Sequence, residues 1–138
     1  MKIKYDLALM KIMALFESRT GVGAKDAFED INGMLYFIVD EGTASKAIGK
    51  HGANVKNLSL MLNKKIKIVE FSGDRETFII RLIFPLKVSD VISDGDTVTL
   101  KGVDIETNSR IIGRGAVHLR DYENMVKRYF PLQEIKVI

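Results

Sequence analysis

Ile48-Gly49-Lys50-His51-Gly52-Ala53-Asn54-Val55 is the stretch that decides how this chain is read. Two glycines bracket two large polar side chains, and helix-compatible residues lie on both sides. Glycine lets a backbone take positive φ and approach a ligand closely. The turn opens a helix, where unpaired N–H groups and the positive end of the helix dipole favour phosphate. Lys50 adds a full charge, and Lys46 and Lys56 flank it. One such turn reads more simply as a helix C-cap. Its recurrence changes that balance.

A shift of 64 residues lays one half of the chain on the other. Val39-Asp40 meets Val103-Asp104, Thr43 meets Thr107, and Ser45 meets Ser109. Lys46 meets Arg110, and Ile48-Gly49-Lys50 meets Ile112-Gly113-Arg114. Val55-Lys56 meets Leu119-Arg120, Met61-Leu62 meets Met125-Val126, and Lys64 meets Arg128. Two copies are too few for a solenoid. The reading is two homologous modules, residues 1–72 and 73–138, joined at Ser72-Gly73-Asp74.

Charge follows the same division. Gly42 to Val69 holds no acidic residue but carries Lys46, Lys50, Lys56, Lys64, Lys65 and Lys67, which is twice the net charge of +3 of the whole chain. Arg110, Arg114, Arg120, Lys127 and Arg128 form a second cluster, offset by Asp121 and Glu123. A single charge run is usually a solvated face. Two separated basic clusters point to a polyanion, because neutralising phosphates needs localised Lys and Arg. With 46% apolar and 28% charged residues the chain is expected to fold as a globular protein. It has no cysteine, which excludes disulfides and cysteine-ligated metal. The apolar runs are too short to span a bilayer. Met1 to Asp6 is not followed by an uncharged apolar region and a cleavage site, so no signal peptide is expected.

Each module reads as helix, strand, strand, helix, helix, strand. In the first, Tyr5 to Phe16 is apolar nearly all round and predicts a buried helix, ended by Gly21 and Gly23. Lys25 to Ile31 and Met34 to Val39 predict strands joined by an Asn32-Gly33 turn. Thr43 is placed to cap a helix through Ala44 to Ile48. A second helix, Ala53 to Leu62, turns Val55, Leu58, Met61 and Leu62 to one side, and Ile66 to Phe71 closes the module. In the second module, Glu76 to Phe84 predicts a helix stopped by Pro85. Strands follow at Val88 to Ile92 and Thr97 to Val103, around a hairpin turn at Asp94-Gly95-Asp96 that lacks the ligand spacing of a calcium loop. A helix starting at Thr107 ends near Ile112, Gly113-Arg114-Gly115-Ala116 breaks it, and Val117 to Phe130 and Glu134 to Ile138 complete the order.

Ile48 to Val55 resembles the signature of the KH domain, a module for single-stranded RNA or DNA whose Gly-x-x-Gly loop holds about four backbone nucleotides. The extra N-terminal helix and strand resemble the type II arrangement. Tandem modules of this kind filling so short a chain are similar to the archaeal NusA family of transcription termination and antitermination factors. Leu15-Phe16-Glu17, Thr20-Gly21 and Asp26 also resemble that family's start. The resemblance implies an α+β fold of two tandem type II KH domains, residues 1–72 and 73–138, each with a small three-stranded mixed sheet. It implies a single-stranded RNA partner, RNA polymerase as a further partner, no cofactor and a cytoplasmic location. All four positions of the first loop match: Gly49, Lys50, His51 and Gly52. In the second, Gly113, Arg114 and Gly115 match, but Ala116 stands where a glycine is expected. Its Cβ disfavours positive φ, so the second loop is expected to bind more weakly or to act as a spacer.

In this reading phosphates meet the loops, and bases lie over an apolar floor that draws on Ile48, Val55, Ile66 and Ile68. Taken singly, each of these four reads better as core. Lys46, Lys56, Arg110, Arg114 and Arg120 complete the candidate contacts. Tryptophan is absent, unlike in readers that stack bases on exposed aromatic platforms. The short junction predicts a nearly rigid pair with a continuous track, the two modules gaining affinity by acting on one strand. No enzyme is expected. There are two histidines, His51, read as a loop contact, and His118, read as a surface helix residue. Neither glycine turn continues to the Gly-Lys-Ser/Thr of a nucleotide-binding loop. Two other readings stay open: a protein-interaction adaptor using the acidic segment Asp26 to Asp30, and duplex DNA binding by the helix–turn–helix.

Overall fold

A computed structural model describes residues 7–138. The segment Met1 to Asp6, including the expected helix start at Tyr5, lies outside the described residues. The chain divides into two compact units, Met1–Ser72 and Gly73–Ile138.

The first unit begins with α1, Leu7–Thr20. Phe16 is fully buried and stacks on Phe37 with ring centroids 4.2 Å apart, while Leu7 and Met10 are exposed. The all-round apolar pattern thus does not make a fully buried helix. Thr20 ends α1: its hydroxyl donates to Phe16 O at 2.8 Å and accepts from Val22 N at 3.1 Å. Strands β1, Ala24–Glu29, and β2, Leu35–Val39, pair antiparallel. The turn between them is wider than the Asn32-Gly33 pair predicts. Asp30 organises it, its Oδ1 accepting from Asn32 N and Met34 N, both at 2.9 Å. Helices α2, Ala44–Ile48, and α3, Ala53–Leu62, then lead to β3, Ile66–Glu70, which pairs parallel to β2. The sheet order is β1-β2-β3. Leu35, Phe37 and Val39 enter a core with Phe16, Val22, Ala27, Ala47 and Leu58. Met61, expected on the buried side of α3, is exposed.

The second unit repeats the plan. It runs α4, Arg75–Ile83; β4, Val88–Asp94; β5, Thr97–Gly102; α5, Ile105–Ile112; α6, Val117–Lys127; and β6, Glu134–Val137. Its sheet order is β4-β5-β6, with the first pair antiparallel and the second parallel. Asp74 caps α4, accepting from Thr77 Oγ1 at 2.6 Å and from Thr77 N at 3.0 Å, and these bonds hold its carboxyl below the usual carboxylate range. Phe78, Leu82, Leu100, Ile111 and Val126 are buried.

The correspondence extends to defects in the sheets. β1 shifts register between Ala24 and Asp26, and β4 shifts between Val88 and Asp90. At each bulge the aspartate accepts from the next backbone N–H at 2.9 Å, Asp26 from Ala27 and Asp90 from Val91. Bulges of this kind are built features of a strand rather than accidents. The same bulge at the same place, 64 residues apart, is what a duplicated module would show.

Candidate nucleic-acid interface

Both helix junctions follow one backbone path. Gly49 has φ 80° and ψ 168°, and Gly113 has φ 74° and ψ 172°. His51 lies at φ 56° and ψ 25°, and Gly115 at φ 65° and ψ 23°. Gly52 lies at φ 73° and ψ 20°, and Ala116 at φ 62° and ψ 23°. Three of the four positions in each turn are therefore left-handed or otherwise positive in φ. Each turn fills one of the three with a residue that has a Cβ, His51 in the first and Ala116 in the second. Ala116 takes positive φ despite its Cβ and does not divert the backbone from the path of the first turn. Gly115 supplies in the second turn the freedom that Gly52 supplies in the first.

The first glycine of each turn is held by packing as well as by φ. A Cβ on Gly49 would lie 2.9 Å from Asn54 Cγ and 3.1 Å from Asn54 N. A Cβ on Gly113 would lie 2.2 Å from His118 Cδ2. Asn54 and His118 are equivalent, each the second residue of the following helix, and each lies against the first glycine of the turn before it. His118 is thus half-buried rather than a free surface residue. Asn54 also donates from Nδ2 to Lys46 O at 3.3 Å, tying α3 to α2.

Charge separates the two junctions. Lys46, Lys50 and Lys56 are exposed, and none forms an ion pair among the described residues. His51 is exposed beside them. Other lysines of the same block serve elsewhere. Lys64 pairs with Glu29. The Lys67 ammonium sits 5.6 Å from the Tyr36 ring centroid, and burial lowers its pKa to about 8. In the second unit Arg110 pairs with Glu106 at 2.7 Å, both exposed. Arg120 pairs with the buried Glu123 at 2.8 Å, and that hydrogen bond raises the Arg120 pKa. Glu123 also accepts from Ile135 N at 2.8 Å. Of the predicted arginines, Arg114 is exposed with no ion pair among the described residues.

The apolar candidates differ in exposure. Ile48 is 37% exposed at the end of α2, so it reaches the surface beside the turn. Val55 is half-buried, and Ile66 and Ile68 pack against the core of the first unit. The acidic segment fits a docking role poorly. Asp26 is fully buried, Glu29 pairs with Lys64, and Asp30 holds its turn. Among the described residues no group of three His, Cys, Asp or Glu side chains can hold a metal ion, and no helix is long and apolar enough to cross a membrane.

One supporting contact has no local sequence signal. Thr43 does not cap α2: its hydroxyl donates back to Asp40 O at 2.6 Å. The Ala44 N–H instead donates to Glu70 Oε1 at 3.1 Å, from the far end of β3. In the second unit the cap is Asp104, which accepts from Thr107 N at 2.7 Å, so α5 starts before Thr107. The spacing Asp104 to Thr107 is a readable cap signal.

The geometry defines an α+β protein whose two mixed three-stranded sheets and helix junctions fit a KH-like fold. A probable transcription termination protein NusA of Methanococcus vannielii is 31% identical over 141 residues, spanning 100% of this chain and 81% of that protein. A probable transcription termination protein NusA of Halococcus morrhuae is 27% identical and spans 99% of both chains. The crystal structure of a protein designated APE1850 shares 27% identity at a TM-score of 0.74, covering 97% of this chain and 100% of that one. No family model matches the chain. The chain belongs to the archaeal family of probable transcription termination proteins NusA.

Proposed function

We propose that this chain is a non-enzymatic, single-stranded RNA-binding transcription termination or antitermination factor of NusA type, built from two type II KH domains in tandem. The observation that carries the reading is the shared backbone path at Gly49–Gly52 and Gly113–Ala116, each followed by a helix and each presenting a cation at its second position. Hydrogen bonds within the first turn use the N–H groups of Gly52 and Ala53, while the Gly49 N–H donates back to Ser45 O in α2. Lys50 and His51 project at the start of α3, where partial positive charge favours a phosphate. Lys46 and Lys56 add charge on either side. Arg114 plays the part of Lys50 in the second turn and can engage a phosphate with two donors. RNA polymerase is the partner on which a factor of this type would act, and the cytoplasm is where both would meet.

The test is binding of a labelled unstructured RNA oligonucleotide by the wild type, by Lys50→Asp/His51→Asp, and by Arg114→Asp, with folding checked by circular dichroism. The first variant is expected to lose about tenfold or more in affinity at 0.1 M salt, and Arg114→Asp less. Each phosphate contact removed lowers the salt slope by about 0.7. Unchanged affinity in folded Lys50→Asp/His51→Asp contradicts the proposal. Stronger competition by duplex DNA than by single-stranded RNA would favour the helix–turn–helix reading instead.

A further inference from the structure

We infer that Glu70, at the end of β3, is a positioning residue for the first junction: by accepting the Ala44 N–H it sets the start of α2 and hence the placement of Lys46, Ile48 and the Gly49–Gly52 turn. The inference rests on the RNA-binding reading above, because it assigns the support of that same site. Helix α2 has five residues, Ala44–Ile48. A helix this short has little stability of its own, and a single turn is costly to nucleate. It also lacks a local cap. Thr43 has φ −106° and ψ −6°, outside the extended region of an N-cap, and its hydroxyl is committed to Asp40 O.

Strand β3 supplies what is missing. Ile66, Ile68 and Glu70 alternate onto the face of the sheet that carries the helices. The first two pack against the core, and the third delivers its carboxylate to the start of α2, with Oε1 3.1 Å from Ala44 N. β3 is itself held beside β2, where Glu70 stands opposite Val39 and Phe71 N donates to Val39 O at 2.8 Å. The second unit reaches the same end by other means. Its α5 has eight residues and its own cap, Asp104. Asn108, equivalent to Ala44 in the repeat, accepts from Gly102 N and donates to Ile138 O, both at 2.7 Å. In both units the helix before the turn is pinned to the ends of the sheet strands. In the first, Glu70 is the side chain that does it.

The charge of Glu70 makes the claim testable by sign. A carboxylate near a phosphate-binding turn repels RNA, so removing it should tighten binding on electrostatic grounds alone. A positioning role opposes that. Glu70→Gln and Glu70→Met both remove the charge and keep the length of the side chain, but only Gln keeps an acceptor for Ala44 N–H. In the full chain, with a labelled unstructured RNA oligonucleotide, Glu70→Gln is expected to bind at least as tightly as wild type. Glu70→Met is expected to bind about threefold to tenfold more weakly than Glu70→Gln, the worth of one hydrogen bond. Amide hydrogen exchange supplies a second readout, with faster exchange at Ala47, Ile48 and Gly49 in Glu70→Met than in Glu70→Gln. Equal affinity and equal exchange in the two variants would overturn the inference. If Glu70→Met does not fold, loss of protection at these same amides in Glu70→Gln, relative to wild type, would overturn it. If wild type binds no RNA, the RNA-binding proposal fails while the exchange comparison still decides the role of Glu70.

Discussion

Gly-Lys-His-Gly in the first unit and Gly-Arg-Gly-Ala in the second reach one backbone conformation with their glycines placed differently. The shared first glycine is the one that packing requires, against Asn54 or His118. At the third and fourth positions one glycine suffices, and either place accepts it. The lesson is that the motif is a backbone path rather than a string of letters. A left-handed residue with a Cβ costs about 1–2 kcal/mol, and each turn carries one. The junctions differ more in charge than in shape, since among the described residues three lysines around the first form no ion pair and around the second Arg114 forms none.

This contrast is open to direct attack. Within the first turn the largest stability effect is expected for Gly49→Ala, which combines the strained φ with a Cβ 2.9 Å from the Asn54 side chain and 3.1 Å from its backbone N. A loss of about 3 kcal/mol is expected from denaturant unfolding. Gly52→Ala should cost only about 1 kcal/mol, because Ala116 already occupies the equivalent position and the nearest atom to the new Cβ is Lys56 Cε at 4.0 Å. Equal losses in the two variants would break the distinction between the packed glycine and the free one. Adding His51→Gly to Gly52→Ala turns the first junction into the pattern of the second, and about 1 kcal/mol should return.

A smaller effect separates the two sheets. Lys67, opposite Tyr36, and Lys136, opposite Thr99, occupy matching strand positions. Lys136 is exposed, but burial lowers the Lys67 pKa from 10.5 to about 8. Between those values the unfolded chain binds the proton more tightly, so this group makes stability rise as pH rises from about 8 to 10.5. Below pH 8 the burial penalty is present in full. Lys67→Met is expected to raise the melting temperature at pH 7 by roughly 2–4 °C, after discounting for solvent screening, and to flatten the rise above pH 8. Lys136→Met should do neither.

Much of the fold was legible because its signals are local. The glycine pair and the flanking apolar spacing set α2 at Ala44–Ile48 and α3 at Ala53–Leu62, as the structure has them. Asp94-Gly95-Asp96 marked its hairpin for the same reason. What escaped the sequence depends on distance. Glu70 reaches Ala44 across 26 residues, and no spacing rule couples a strand end to a helix start that far away. The pairing of Arg120 with buried Glu123 was hidden because a charge count does not reveal which carboxylate is buried. Ala116 looked like a departure from the motif because the compensating glycine, Gly115, lies one place earlier.

The central claim is that both turns hold an unpaired strand by its backbone. Its most direct test is a 1H–15N titration of the full chain with an unstructured RNA oligonucleotide. The account predicts that the amides of Gly49 to Ala53 and Gly113 to Val117 shift together, with the first set moving at lower RNA concentration. Shifts confined to other surfaces, with both turns unmoved at saturation, would contradict it.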